Sequence, residues 1–262
     1  MARNGLPKLR GQVAAIDRLT CGQRDEMFAL FSQYYDCIER SRFDSDLDEK
    51  DAVILLTAGG AIQGFSTLKT LPVRVGRRTH YGVYSGDTVL AREYWGQRVL
   101  GKVFLRYLFQ QKMRRPLRPF WWFLISKGYK TYLLMANNFG EHWPRHEQAM
   151  PAERKTILDA FGCAYFPDYY DAATGLIQFP ESLGQLKFHI TPITDEQREV
   201  PRISFFEEKN PTWMQGTELA CLARMTWSMP LYYSLKALWK LSGGRLGLRG
   251  AKVRPALPGG GG

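Results

Sequence analysis

The sequence predicts an α+β protein, a mixed α/β arrangement with a central, mostly antiparallel sheet and helices on its faces. Three observations predict it. Two extended apolar runs flank Ala58-Gly59-Gly60 in "DAVILLTAGGAIQGFSTLKTL", the composition of a tight hairpin. A third extended run, "THYGVYSGDTVLA", follows the basic loop "PVRVGRRTH". From Arg98 the period changes to that of a helix, with Val99, Val103, Arg106, Tyr107 and Gln110 recurring until "MRRP" stops it at Pro116. Hairpin-linked central strands, and the lack of a GxGxxG after a strand, disfavour a Rossmann arrangement.

Taken in order, "GQVAAIDRLT" alternates loosely and reads as a first strand. "QRDEMFALFSQYYDCIER" then places Met27, Leu30, Phe31, Tyr34, Tyr35 and Ile38 at spacings of three and four, an amphipathic helix. Gly82 and Gly86 fall inside the third extended run, where glycine marks a bulge or a close backbone approach. Past Pro116, "PFWWFLISKGY" is expected as a short apolar helix leading into a strand, "KTYLLMA". "PAERKTILDAFG" reads as a helix with proline near its start and Gly162 at its end. "KFHI" and "ISFFE" are expected as short strands, "GTELACLARMTW" as strand or helix, and "PLYYSLKALWKL" as a helix. No internal repeat is visible, and the terminal "PGGGG" is low in complexity.

Composition narrows the function classes. With 262 residues and 45% hydrophobic content, the chain can build one large core or two small ones. No apolar run reaches the roughly 18 to 20 residues of a spanning helix. The N-terminus lacks the apolar stretch of a secretory signal, and Cys21, Cys37, Cys163 and Cys221 form no CxxC. A cytoplasmic, reducing setting with free thiols is expected. The formal charge of +11 implies an acidic partner: coenzyme A, an acidic carrier protein, anionic lipid or nucleic acid. Nucleic acid is the weakest of these, since neither zinc-finger spacing nor an aromatic RNP-like strand accompanies the charge. Residues 219 to 262 hold seven Lys or Arg and no Asp or Glu, so the chain divides at this point into a domain of residues 1–218 and a basic aromatic C-terminal segment of residues 219–262. That segment reads as a helix packed on the core with a disordered basic end, and alternatively as a surface for anionic membrane or an acyl carrier.

The stretch "EYWGQRVLGKVF", residues 93 to 104, carries the strongest chemical signal. A helix N-terminus exposes unpaired N–H groups and a partial positive charge, so an anion there gains hydrogen bonds and a favourable dipole. The amides from Arg98 to Lys102 would close around a pyrophosphate, with Gly101 letting the backbone approach and Arg98 and Lys102 adding charge. The alternative is a plain strand-to-helix connection with a solvated basic face.

These residues resemble a family. "VLAREYWGQRVLGKVFLRYLF" is similar to the acyl-CoA-binding motif of GNAT-type N-acetyltransferases, whose usual form is a strand, then V-x-P-E-Y-R-G-Q-G-I-G, then a helix. Glu93, Tyr94, Gly96, Gln97 and Gly101 fit; Trp95 replaces the usual basic residue, and "RVLG" replaces "GIG" with one extra position. The resemblance covers residues 12 to about 140. It implies a GNAT-like splayed sheet, acyl-CoA as co-substrate, no metal, and attack by an amine on the thioester carbonyl. By the same resemblance, the backbone of Val89, Leu90 and Ala91 pairs with the pantetheine arm and polarises the thioester. Gln97, Arg98, Val99, Leu100, Gly101 and Lys102 hold the pyrophosphate, and Asn138 ends the strand after the helix. The acceptor is the amine of a small molecule or peptide; an acyl carrier protein as donor, and a non-catalytic module, are the alternatives.

A general base belongs on the strand leading into the cradle. Asp87, after Gly86 in the expected bulge, is the first candidate and Glu93 the second. The family's general acid is a tyrosine after the asparagine-ended strand, and "NNFGEHWPRHEQ" supplies none at that spacing. Tyr165, Tyr169 and Tyr170 replace it only if the chain folds back, and otherwise form a core or rim cluster. His142 and His146 have i, i+4 spacing, but Pro144 between them and the lack of an HExxH pattern speak against a metal. Cys163 lies in an apolar context, "AFGCAYF", and is expected to be a buried structural thiol.

Overall fold

Gly59 and Gly60 take φ of 63° and 88°, the left-handed pair that a two-residue hairpin turn requires. They join β3 (Ala52–Ala58) to β4 (Ala61–Val75), which returns through a second tight turn to β5 (Arg78–Leu90). The stretch expected as a basic loop is therefore strand up to Val75 and from Arg78. The computed structural model describes residues 5–36, 39–180, 185–186 and 192–229.

Before the hairpins come β1 (Arg10–Ala15), α1 (Cys21–Phe31), β2 (Tyr35–Asp36) and α2 (Arg40–Asp48). After them come α3 (Val99–Arg114), β6 (Phe120–Ser126), α4 (Tyr129–Ala136), β7 (His142–Trp143) and α5 (Ala152–Tyr165). The remainder comprises β8 (Tyr170–Asp171), β9 (Leu176–Ile177), β10 (Gln185–Leu186), α6 (Asp195–Arg198), α7 (Pro201–Lys209) and β11 (Glu218–Arg224).

The main sheet runs β1-β3-β4-β5-β6-β11-β9-β8, with β7 also on β11, while β2 and β10 pair separately. Every pairing in it is antiparallel except that of β5 with β6. This is the mixed, mostly antiparallel sheet expected, flanked by helices. A first compact unit runs to residue 225 and a second from Thr226. β11 thus belongs to the sheet, past the expected division at 218.

Several elements differ from expectation. "PFWWFLIS" is the strand β6 and "YKTYLLMA" the helix α4, the reverse of the expected assignment. A seven-residue apolar run has no period of its own, and its aromatic and branched residues suit a pleated surface buried on both sides. "ISFFE" lies in α7, whose Ile203 and Phe206 face inward at helical spacing. The single expected helix over residues 23–40 ends at Phe31, and α2 follows separately. Gly162 lies inside α5, not at its end. "KFHI" and "PLYYSLKALWKL" lie outside the described residues.

Local chemistry explains the ends. Thr20 and Gln23 close a capping box at the start of α1, satisfying two otherwise orphaned donors. Arg40 bonds Asp25 and Asp44 and so ties α1 to α2. Phe31 and Phe43 from these helices meet Phe65 of β4, with ring centroids 6.1 Å and 6.3 Å from it. Along β6 the faces alternate. Trp121 and Phe123 join the cluster with Ile157, Leu158 and Phe161 of α5, and Trp122 packs oppositely on Phe104 of α3 at 4.9 Å.

Gly82 permits the close approach of α5, because a Cβ there would overlap the Phe161 ring. Phe161 is fully buried. We expect Phe161→Ala to lower stability by about 3–5 kcal/mol and Gly82→Ala by about 1–3 kcal/mol. In urea denaturation the second change should cost much less when Phe161 is already Ala, because the clash is gone; additive effects would contradict this packing.

Candidate active site

β5 and β6 pair from Tyr81↔Phe120 to Tyr84↔Phe123 and then separate, although β5 continues to Leu90 and β6 to Ser126. The cause is local. The β4–β5 register shifts so that Thr67 alone faces Gly86 and Asp87, a bulge that bends β5 away. A Cβ on Gly86 would lie 2.6 Å from Thr67 Oγ1 and 3.2 Å from the Tyr84 ring, so only glycine fits this crossing. Trp122 Nε1 donates to Ser85 Oγ at 3.0 Å and pins the crotch of the fork. Thr67 Oγ1 is buried beneath the bulge without a partner among the described residues.

Beyond the bulge the hydrogen-bonding parity decides which backbone groups face the cleft. The Ala91 amide donates to the Gln63 carbonyl at 2.7 Å, and the register places Val89 opposite Phe65. Alternation in an antiparallel pair turns Val89 and Ala91 toward β4, and Thr88 and Leu90 toward the cleft. Ala91 and Val89 are thus corrected as cleft-facing donors. The Leu90 carbonyl already accepts from Trp95 Nε1 at 2.7 Å and from Tyr34 Oη at 3.0 Å.

The chain then makes a short 3-10 turn, Arg92–Tyr94, with Tyr94 buried and Glu93 exposed. Gly96 takes a φ of 83° before α3 begins. The first turn of α3 has no side-chain cap and no acidic residue. The Gln97 amide donates to the Tyr94 carbonyl at 3.2 Å and that of Lys102 to the Arg98 carbonyl at 3.1 Å. The amides of Arg98, Val99, Leu100 and Gly101 have no backbone acceptor among the described residues. Four consecutive amides are therefore open here, while those of Gln97 and Lys102 are already bonded. Gly101 is exposed, and a Cβ there would meet nothing within 4 Å.

A carboxylate group lies on the α5 side of the fork. Asp87, Tyr84 and Tyr35 interact electrostatically with each other and with Glu218, the first residue of β11, adjacent to the Leu219↔Ser126 pair. Glu218 keeps some contact with solvent, yet removal from bulk water raises its carboxyl to about 7; Lys127 opposes the shift and Asp87 adds to it. Desolvation also raises Asp87, against the pull of Lys50. Sequence reasoning missed Glu218, which closes the stretch before the acid-free C-terminal end; being the last acidic residue in the chain was its one available signal.

The other candidates are placed elsewhere. Asn138 follows α4 and its Nδ2 donates to the Leu134 carbonyl at 2.7 Å, so it caps a helix and does not end a strand at the cleft. Tyr165 reaches the Gly82 carbonyl at 2.6 Å, and Tyr170 donates to Asp159 at 2.5 Å. Burial raises both hydroxyls. His142 is buried in β7 with Nδ1 2.8 Å from the Phe139 carbonyl, while His146 pairs with Glu147. Among the described residues no group of three His, Cys, Asp or Glu is placed to hold a metal. Cys163 is exposed, contrary to expectation, because its side of α5 points away from the sheet; Cys221 is the buried thiol. Among the described residues no helix is long and apolar enough to cross a membrane.

The arrangement of hairpin, β5, α3 and a following strand is the order that the GNAT resemblance implies. No family model and no curated protein matches the chain. Solved structures do match in outline. A conserved protein of Enterococcus faecalis V583, described as a probable N-acyltransferase, matches at 13% identity and a TM-score of 0.40 over 50% of this chain. This chain spans 33% of that structure's length. The GNAT family N-acetyltransferase YhbS of Escherichia coli, solved in complex with CoA, matches at 15% identity and a TM-score of 0.36, over 51% of this chain and 69% of its own. ElaA of Escherichia coli matches at 13% identity and a TM-score of 0.36, over 55% of this chain and 95% of its own.

Proposed function

We propose that the chain is an N-acyltransferase that moves an acyl group from acyl-CoA to the amine of a small molecule or peptide. One observation carries this reading: four consecutive amides, Arg98 to Gly101, have no backbone acceptor among the described residues and follow by a short turn the strand that diverges from β6. A pyrophosphate suits that helix start, where hydrogen bonds, the dipole and the Arg98 and Lys102 side chains act together. The amide-bearing arm of the donor suits the cleft, because the cleft-facing backbone groups of Thr88 and the Leu90 amide offer strand-like hydrogen bonding.

The acceptor arrives as an ammonium ion and must lose a proton before it can attack. Asp87 or Glu218 takes that proton in this reading, since desolvation has raised both toward the working pH. Glu93, the other candidate, is exposed on the turn. The amine nitrogen bonds to the thioester carbon, the C–S bond breaks, and the sulfur leaves as a thiolate that gains a proton from solvent. The cleft-facing amides of Thr88 and Leu90 support the oxygen as it gains charge.

Acyl-CoA in about 100-fold excess over its Kd is expected to raise the Tm by about 5 °C. Gly101→Phe should leave the free protein at least as stable, because a side chain meets no neighbour there and glycine is a poor helix former. The same variant should lose the acyl-CoA shift. A wild-type protein indifferent to every acyl-CoA, or a Gly101→Phe variant with the full shift, would falsify the proposal.

Glu218 gives a pH signature with a definite sign. Its folded value of about 7 exceeds the ordinary glutamate value, so the native state holds a proton more tightly than the unfolded chain. Its contribution to stability is fully present below the unfolded value and is lost as pH rises through about 7. Glu218→Gln is therefore expected to match wild type near pH 4 and to exceed it by on the order of 1–2 kcal/mol at pH 8 in urea denaturation. If Glu218 is the base, kcat/KM of the wild type rises through the same pH range, and the rise is absent in Glu218→Gln.

A further inference from the structure

At the end of the sheet away from the cleft, two sequence-distant segments bring six arginines together. The tip of the β4–β5 hairpin carries Arg74, Arg77 and Arg78, and the turn from α3 into β6 carries Arg114, Arg115 and Arg118. The two segments abut, since the Tyr81 amide donates to the Pro119 carbonyl at 3.0 Å and the Arg115 guanidinium lies 4.6 Å from the Tyr81 ring centroid. Arg78 precedes Tyr81 by three strand residues, about 10 Å.

Among the described residues none of the six has a carboxylate within 4 Å, whereas Arg24, Arg40, Arg154, Arg198 and Arg202 each hold one. No Asp or Glu occurs from residue 52 to 86 or from 94 to 140. Glu153 and Asp51 reach the surroundings of this end from other elements, but neither pairs with any of the six, so a net positive field remains there. It does not serve the proposed cleft, because α3 places about 24 Å between its N-terminus and this end.

Apolar side chains project from the end of α3 and the turn after it. Leu117 is 95% exposed and Met113 57% exposed, each beside arginine in sequence. A phosphate-bearing polymer would match the charge and leave these side chains in water. A lipid surface matches both, with headgroup phosphates on the guanidinium groups and leucine at the acyl boundary. We propose that this end docks on an anionic phospholipid surface, with Leu117 entering it.

The test uses the full chain and sedimentation with phosphatidylcholine vesicles, with and without phosphatidylserine. Wild type is expected to sediment with the anionic vesicles and not with the neutral ones. The triple variant Arg77→Glu, Arg78→Glu, Arg118→Glu should lose at least about 100-fold in vesicle affinity, given the contribution of each basic residue near a charged bilayer. Leu117→Ser should lose about tenfold, with the charge unchanged. Both should keep the wild-type Tm, because these side chains are exposed and hold no ion pair among the described residues. A triple variant that binds as well as wild type overturns the proposal, since residues 230–262 remain in it and would then be the binding element. Wild type indifferent to anionic vesicles overturns it too, as does tighter binding to duplex RNA than to those vesicles at equal salt.

Discussion

The pairing of β5 with β6 stops after Tyr84 and Phe123, and the candidate site exists because it stops there. Up to that point the two strands satisfy one another's backbone groups in parallel register. One extra residue at Gly86-Asp87, opposite Thr67, then turns β5 outward. The result is an opening within the sheet, lined by main-chain donors and acceptors that the protein does not pair across it. Such an edge, shielded on both sides, favours an extended amide-bearing ligand over another protein strand.

The packing on either face keeps the opening from collapsing. On one side Phe123, Phe161 and Tyr165 form a contiguous aromatic layer, and the Tyr165 hydroxyl reaches the carbonyls of Gly82 and Lys69 at 2.6 Å and 3.1 Å. On the other, Trp122 sits between Phe104 and Phe139 and bonds Ser85. Rings of this size occupy few rotamers when enclosed, so the strands are held apart by rigid bodies. Tyr165 therefore serves the shape of the cleft through the backbone.

Two opposed electrostatic environments meet at this fork. The start of α3 is solvated, uncapped and basic, which favours an anion. The group of Asp87, Glu218, Tyr35 and Tyr84 is poorly solvated and lifts its own carboxyls toward neutrality. In the proposed reaction an anionic donor and a proton acceptor would thereby be kept on different sides of the sheet edge, each in the dielectric that suits it. The arginines at the far end of α3, which hold no carboxylate among the described residues, belong to neither environment.

Much of this could be read from the residues alone. The Gly59-Gly60 turn, the period change at Arg98 and the glycines of β5 are local signals, and local sterics and periodicity decide them. Asp87 at the bulge was legible for the same reason. "PFWWFLISKGYKTYLLMA" was not, since an unbroken apolar run suits a strand and a buried helix alike, and only the place beside β5 and β11 made Phe120–Ser126 the strand. The sequence by itself determined the order of hairpins, the helix that begins near Arg98 and the excess of positive charge, because these depend on neighbours within a few residues. Tertiary structure alone decided which amides of the cradle stay open, that Val89 and Ala91 turn away from the cleft, and that Glu218 joins Asp87 from far along the chain. Those outcomes depend on strand register and on shared burial, which no short stretch of sequence contains.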